Sequence, residues 1–363
     1  MGLSCGIVGL PNVGKSTLFN LLTSANAVAE NYPFCTIKPN VGIANIPDHR
    51  LKRLADLSGS RKIVPSTLEV VDIAGLVKGA SQGEGLGNEF LGQIRNVDAI
   101  VHLIRLFDDE NVSHVLGEVN PHADLDIIKT ELILKDIETV DKRIALLTSR
   151  SKAGDRQLRQ MVDNLQILKG KLGEGILAKD SMETEADKYL VKDLSLLTMK
   201  PYMVLCNVGE SDIGLNPDQI GPIKDLASTV PTVVLSAKIE SEIAQIQNEN
   251  EKREYLNSYS LKEPAFNHFL REAHSLLNLI TFFTSGVQES RAWNIANGST
   301  APEAAGTIHT DFQKGFIKAE VIAYDDFDRL ESEQRVKENG LLRIEGHDYI
   351  VQDGDVCHFR FNV

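Results

Sequence analysis

The sequence predicts an α/β protein: a doubly wound P-loop domain, interrupted by an α-helical hairpin and followed by a small mixed β domain. Three observations predict it. Short apolar runs recur between segments of helical pattern, as buried parallel strands do. The segment Gly9-Leu-Pro-Asn-Val-Gly14-Lys15-Ser16 joins the first run to a helix-forming stretch. The gap between the third and fourth runs is too long for one crossover helix and carries a heptad-like period.

The strands are expected at Cys5–Val8, Leu68–Val71, Ile100–Ile104, Met203–Cys206 and Thr232–Leu235, with a helix over Thr17–Thr23 after the P-loop. In the gap, Ile133, Ile137, Val140, Ile144 and Leu147 alternate spacings of four and three. Leu158, Met161, Leu165, Leu168 and Leu172 do the same after a break at Ser149–Asp155. That pattern reads as an antiparallel helical hairpin with coiled-coil-like seams. Beyond about residue 277, Phe312–Tyr324 and Tyr349–Val363 alternate like strands, and Gly-Asp and Asn-Gly pairs punctuate the region. The expected division is therefore 1–130 with 199–277 as the nucleotide-binding domain, 131–198 as the inserted coiled coil, and 278–363 as the C-terminal domain.

Composition narrows the class. A chain of 363 residues with 42% hydrophobic residues builds two or three packed domains. Its formal net charge of −13 opposes indiscriminate binding to nucleic acid. The hairpin is the exception: Lys142–Lys171 holds eight basic side chains against two acidic ones, which makes it the candidate contact for RNA. Cys5, Cys35, Cys206 and Cys357 form no CxxC pair, so they read as isolated thiols of a reducing compartment. The N-terminus has no signal-peptide pattern and no run of about 18 apolar residues occurs. A cytoplasmic protein with no membrane contact is expected.

The P-loop carries the chemistry. Successive N–H groups of such a loop form an anion nest, and the following helix N-terminus adds positive potential. Lys15 is expected on the β and γ phosphates and the Ser16 hydroxyl on Mg²⁺. Asn12 could help to hold a monovalent cation, K⁺, beside the phosphates. Asp72-Ile-Ala-Gly75 ends the second apolar run; its carboxylate can hold Mg²⁺ through water, and the Gly75 N–H can reach the γ phosphate. Thr36, in the loop between the first helix and the second strand, can complete the metal shell. Gly79, Gly83, Gly85 and Gly87 follow as a loop that is easily rearranged, which with Asp72 and Leu76 suits a switch released on hydrolysis.

Base choice and water activation are read from departures. Asn207-Val-Gly-Glu210 and Ser236-Ala237-Lys238 follow the fourth and fifth runs, where G proteins place the N-K-x-D and S-A-K elements. The aspartate of N-K-x-D accepts two hydrogen bonds that only guanine donates. Val208 and Glu210 replace its lysine and aspartate, so guanine selectivity should relax and adenine be admitted. Leu76 stands where a Ras-like enzyme carries its water-orienting glutamine, and leucine has no hydrogen-bonding group. Slow turnover follows, with His114 as the candidate to position the water.

These residues bring a family into view. GLPNVGKST, NYPFCTI, DIAGLVKGASQGEGLGNEFL, NVGE and the ending DFQKGFIKAEVIAY…DYIVQDGDVCHFRFNV resemble the YchF/Obg-like ATPases over essentially the entire chain. The resemblance implies an Obg-type G domain with an inserted coiled coil and a C-terminal TGS domain of β-grasp shape. It implies ATP preferred over GTP, slow hydrolysis, and association with the 50S or 70S ribosome through rRNA or a ribosomal protein, in translation or stress responses. It places Mg²⁺ on Ser16 and Thr36, the triphosphate on Asn12, Val13, Gly14, Lys15, Ser16 and Thr17, and the adenine on Asn207, Val208 and Glu210. A monomer is expected. The alternatives are a conventional GTP-specific GTPase and a small-molecule kinase; for the kinase no acceptor site is visible in the insert.

Overall fold

The computed structural model describes residues 4–24, 40–73, 86–109, 119–150, 155–182 and 184–362. The chain divides into two compact units, Leu3–Gly42 with Glu69–Phe266, and Ile43–Leu68 with Asn267–Val363.

The first unit is built on the strands β1 (Ser4–Val8), β2 (Val41–Asn45), β4 (Thr67–Asp72), β5 (Ala99–Arg105), β6 (Tyr202–Asn207) and β7 (Thr232–Leu235), in the order β2-β4-β1-β5-β6-β7. The five expected apolar runs are β1, β4, β5, β6 and β7. β1 pairs in parallel with β4 and with β5, and β5–β6 and β6–β7 are parallel as well. Every residue of β1, β5 and β6 is buried, which explains why they read as unbroken apolar runs. The chain runs from β1 to β2 and β4 on one side of that strand, and crosses from β4 to β5 on its other side. The carboxyl end of β1 is therefore the topological switch point, where open α/β sheets take their ligands.

The helix α1 (Lys15–Ser24) leaves the P-loop there, with Leu18 N donating to Gly14 O at 3.0 Å. After α2 (His49–Ser58) and α3 (Leu86–Arg95) comes α4, which runs unbroken from Pro121 to Arg150. The boundary expected at 130/131 falls inside α4, because its first half packs on β5 and its second half forms the hairpin. α5 (Arg156–Gly173) returns antiparallel, capped by the Asp155 carboxylate accepting from Leu158 N at 3.0 Å. Val140 and Leu147 of α4 and Leu165, Leu168 and Leu172 of α5 form the buried seam. Ile137, Ile144, Leu158 and Met161, expected in the same seam, are half-buried. Lys169 and Asp141 tie the two helices at 2.7 Å. The buried Asp136 of α4 then accepts from Leu197 N at 2.7 Å, Thr198 N at 2.8 Å and the Thr198 hydroxyl at 2.7 Å. These bonds fix the returning chain before β6.

The second unit carries the sheet β11-β10-β12-β8-β9-β3. Its strands are β3 (Ile63–Val64), β8 (Leu279–Ser285), β9 (Ser290–Ala296), β10 (Phe316–Ala323), β11 (Arg343–Glu345) and β12 (Asp355–Phe361). The hairpin β8–β9, the helix Ala301–Ile308 and the pair β10–β12, with β12 parallel to β8 in the middle, make a β-grasp arrangement. The two strands expected over 312–324 and 349–363 are shorter, since Thr310–Lys314 forms a helical turn before β10. Residues 43–68, expected with the nucleotide-binding domain, group here instead. β3 pairs in parallel with β9, and Leu51 and Leu54 of α2 join Phe283, Ile322, Phe327 and Val336 in one apolar cluster.

Candidate functional site

The P-loop leaves β1 and turns with Asn12 at φ +66° and Gly14 at φ +97°. Gly14 is required on two counts. Its φ is left-handed, and a Cβ there would stand 2.3 Å from Asn207 Nδ2. Val13 is buried and anchors the loop, whereas Asn12, Ser16 and Thr17 are exposed at its mouth. The Lys15 ammonium donates to Asp72 Oδ1 at 2.6 Å and to Ile73 O at 2.8 Å. Both side chains are largely covered, with 13% and 19% exposure. The loop lysine and the carboxylate at the end of β4 are thus brought together, as the two motifs predict.

Asn207 does more than the sequence suggests. It is 4% exposed, donates through Nδ2 to Val13 O at 3.0 Å, and accepts at Oδ1 from Ala237 N at 2.9 Å. One amide therefore straps the P-loop to the N-terminus of the helix Ala237–Gln245. The buried Ser236 stands just before that helix.

Val208 is a correction. Expected beside the base, its side chain is 2% exposed and packs with Ile104, Cys206, Ile220 and Ile223. The reason is strand parity: Asn207 faces the loop, so its neighbour faces the core. The missing lysine stem is real, but position 208 supplies only backbone to the site. Glu210 is exposed and its carboxylate meets Lys238 Nζ at 2.7 Å, a partner that sequence reasoning missed. The signal was available as opposite charges on the two base-side loops. This ion pair holds the Lys238 ammonium pKa above its ordinary value.

Gly87 is a second correction: it lies in the first turn of α3, not in a loop. Phe90, Leu91 and Ile94 are buried along that helix, at the spacing of one helix face. Thr36, Gly75, Leu76, Gly79, Gly83, Gly85 and His114 lie outside the described residues.

The oxygens on the described side of the site suit a hard divalent cation. Mg²⁺ takes one or two protein oxygens and fills its octahedron with water and phosphate oxygens. The exposed Ser16 hydroxyl in the first turn of α1 and the Asp72 carboxylate beside Lys15 provide that donor set. The adjoining loop, a covered lysine and a helix N-terminus fit a polyphosphate.

Comparison with known proteins gives the same picture at full length. The model of the 50S ribosome-binding GTPases matches residues 4–150. The YchF-GTPase_C model, described as a protein of unknown function, matches residues 279–362. Proteins named ribosome-binding ATPase YchF are 48% identical in Haemophilus ducreyi and 47% identical in Bacillus subtilis, each over 100% of both chains. The solved structure of the Schizosaccharomyces pombe YchF GTPase is 33% identical, covers 99% of this chain and 98% of its own, and superposes with a TM-score of 0.87. With sequence and architecture alike from end to end, the chain belongs to the YchF family.

Proposed function

We propose that the protein is a Mg²⁺-dependent P-loop ATPase that works as a ribosome-associated conformational switch in the cytoplasm. The observation that carries this reading is the strapped loop: Gly14, Lys15 and Asn207 form a built phosphate cradle at the switch point of the sheet. The relatives' name, ribosome-binding ATPase, supports both the reaction and the partner. ATP is taken in preference to GTP, turnover is slow, and the protein acts as a monomer in translation or stress responses.

In this mechanism Lys15 binds the β and γ phosphates and the backbone N–H groups of Asn12–Thr17 orient them. Ser16 and Thr36, with Asp72 beside them, would hold Mg²⁺, and the ion would neutralise charge on the phosphate oxygens. Gly75 offers its N–H to the γ phosphate, and the segment from Asp72 through Leu76 to Gly85 is released on hydrolysis. His114 positions the attacking water, so His114→Ala should lower kcat with ATP affinity nearly unchanged. A K⁺ ion held in part by Asn12 is a further cofactor of this reading, tested by exchanging K⁺ for Na⁺.

A second reading keeps its place because of the names themselves: the fission-yeast structure is titled a GTPase. Calorimetric titration with ATP and with GTP in Mg²⁺ decides. The expected result is ATP at least as tight as GTP. GTP tighter by tenfold, about 1.4 kcal/mol, would replace the ATPase reading with the GTPase one. Glu210→Asp is the informative variant and should move preference toward GTP. Val208→Lys is uninformative, because it places an ammonium in the core described above.

A further inference from the structure

At the amino end of β6, far from the nucleotide cradle, two lysines converge on one aromatic ring. Lys179 Nζ lies 4.1 Å and Lys129 Nζ 5.4 Å from the centroid of the Tyr202 ring. Lys129 comes from the first half of α4 and Lys179 from the short helix Ala178–Ser181 that follows α5. Both are half-buried, and neither has a carboxylate within ion-pair distance among the described residues. The same ring meets His102 of β5 in a T-shaped contact, with centroids 5.3 Å apart and planes at 89°. His102 is 1% exposed, and its Nδ1 has no hydrogen-bond partner among the described residues.

This arrangement is unfavourable for folding alone. Two ammonium groups held against one ring repel each other in a partly desolvated place, and cation–π attraction offsets only part of that. Burial, and then Lys129, hold the Lys179 pKa down, while Asp180 opposes them. Burial, and then Lys129 and Lys179, push His102 down to about 3, so the imidazole stays neutral and cannot relieve the pair. Unpaired like charges gathered on a rigid platform are what an anion site looks like before its anion binds.

We propose that Lys129, Lys179 and Tyr202 form a second anion site, which takes a phosphate group. The ammoniums supply point charges and the phenol a hydroxyl donor, a set that matches a tetrahedral oxyanion. The site is distinct from the P-loop: Tyr202 and Asn207 stand at opposite ends of β6, about 17 Å apart at strand rise. Its phosphate could belong to a small phosphorylated molecule or to an RNA backbone, and the two sources separate by experiment.

The test uses the full chain with its P-loop saturated by Mg²⁺ and a non-hydrolysable ATP analogue. Inorganic phosphate should raise the Tm of the original protein above a chloride control of equal ionic strength. The double variant Lys129→Gln/Lys179→Gln should lose that increment. Binding of a single-stranded RNA oligonucleotide across a salt series is the second arm. A log–log salt slope shallower by about 0.7 in the double variant identifies an RNA backbone as the source, since one neutralised phosphate of a single strand contributes roughly that much. An unchanged slope with the phosphate increment lost identifies a small phosphorylated molecule. If neither the phosphate increment nor the slope differs between the two proteins, the anion site does not exist and the lysines are only a structural cluster.

Discussion

At the scale of single residues the cradle depends on few atoms. In the proposed reaction Lys15 is the positive point charge on the phosphates; in the structure it is held by Asp72 and Ile73 O. Lys15→Ala should abolish hydrolysis and weaken ATP binding at least tenfold, while the fold, anchored by buried Val13 and Leu18, stays intact. Turnover at the original rate would remove the P-loop from the chemistry. Glu240 makes a pH prediction. It is 3% exposed and accepts from Ala265 N at 2.8 Å, capping the helix Ala265–Leu276. Burial, against the donors Ala265 and Phe266 and the charge of Lys252, raises its pKa from 4.5 to about 7. The folded protein therefore holds this proton more tightly than the unfolded chain. Between about pH 4.5 and 7 it binds more protons than the unfolded state, so stability falls as pH rises through that window and is level above it. The loss is on the order of 3 kcal/mol. Glu240→Gln keeps an acceptor but cannot titrate. Denaturant unfolding should show the variant gaining on the original protein from pH 5 to pH 8; a gap that does not vary with pH would mean Glu240 ionises freely.

At the scale of elements the hairpin is the piece with its own charge. Lys142 is paired with Glu138 at 2.5 Å and Lys169 with Asp141 at 2.7 Å, so part of the basic excess is neutralised locally. Arg150, Arg156 and Arg159 are exposed near the tip and have no ion-pair partner among the described residues. Changing these three to Glu should weaken cosedimentation with ribosomes and flatten its log–log salt slope by roughly two to three. Hydrolysis of ATP without ribosomes should stay near its original rate. Equal pelleting across the salt series would return the hairpin to a solvated face. Elements were legible where burial on both faces wrote an unbroken apolar run, as in β1, β5 and β6, or where a seam repeated every three or four residues. β2 and β3 were not: β2 carries a glycine and is buried only at alternate positions, and β3 is two residues long. The site was legible as motifs but not as geometry. Lys15 and Asp72 were found from spacing, whereas the Asn207 strap and the Glu210–Lys238 pair join segments about thirty residues apart or more. Val208 turns inward because the period-2 alternation of Val204 and Cys206 continues one step past the end of β6.

At the scale of the whole molecule, the chain order and the packing order differ. The stretch between β2 and β4, most of residues 43–68, groups with a sheet whose other strands begin at Leu279. α2 buries Leu51 and Leu54 against Phe283, Phe327 and Val336, and its Arg50 and Arg53 pair with Asp353 and Asp328 at 2.6 Å each. Ser60 donates to Gly286 O at 2.7 Å, and Lys62 O accepts from Ser290 N at 2.9 Å. Covering two leucines stabilises by about 1.5–3 kcal/mol each, whereas the partly exposed ion pairs add little. A chain ended after Phe266 would therefore not be a trimmed nucleotide-binding domain. It would keep α2 and β3 but lose every partner named here, leaving an apolar helix face uncovered and β3 without its ladder. Such a fragment should bind a hydrophobic dye and should aggregate in the absence of denaturant. In hydrogen exchange its amides over 49–64 should exchange at least a hundredfold faster than in the full chain, while those of β5 and β6 remain protected. Equal protection of 49–64 in fragment and full chain would show that this segment is held without the C-terminal sheet.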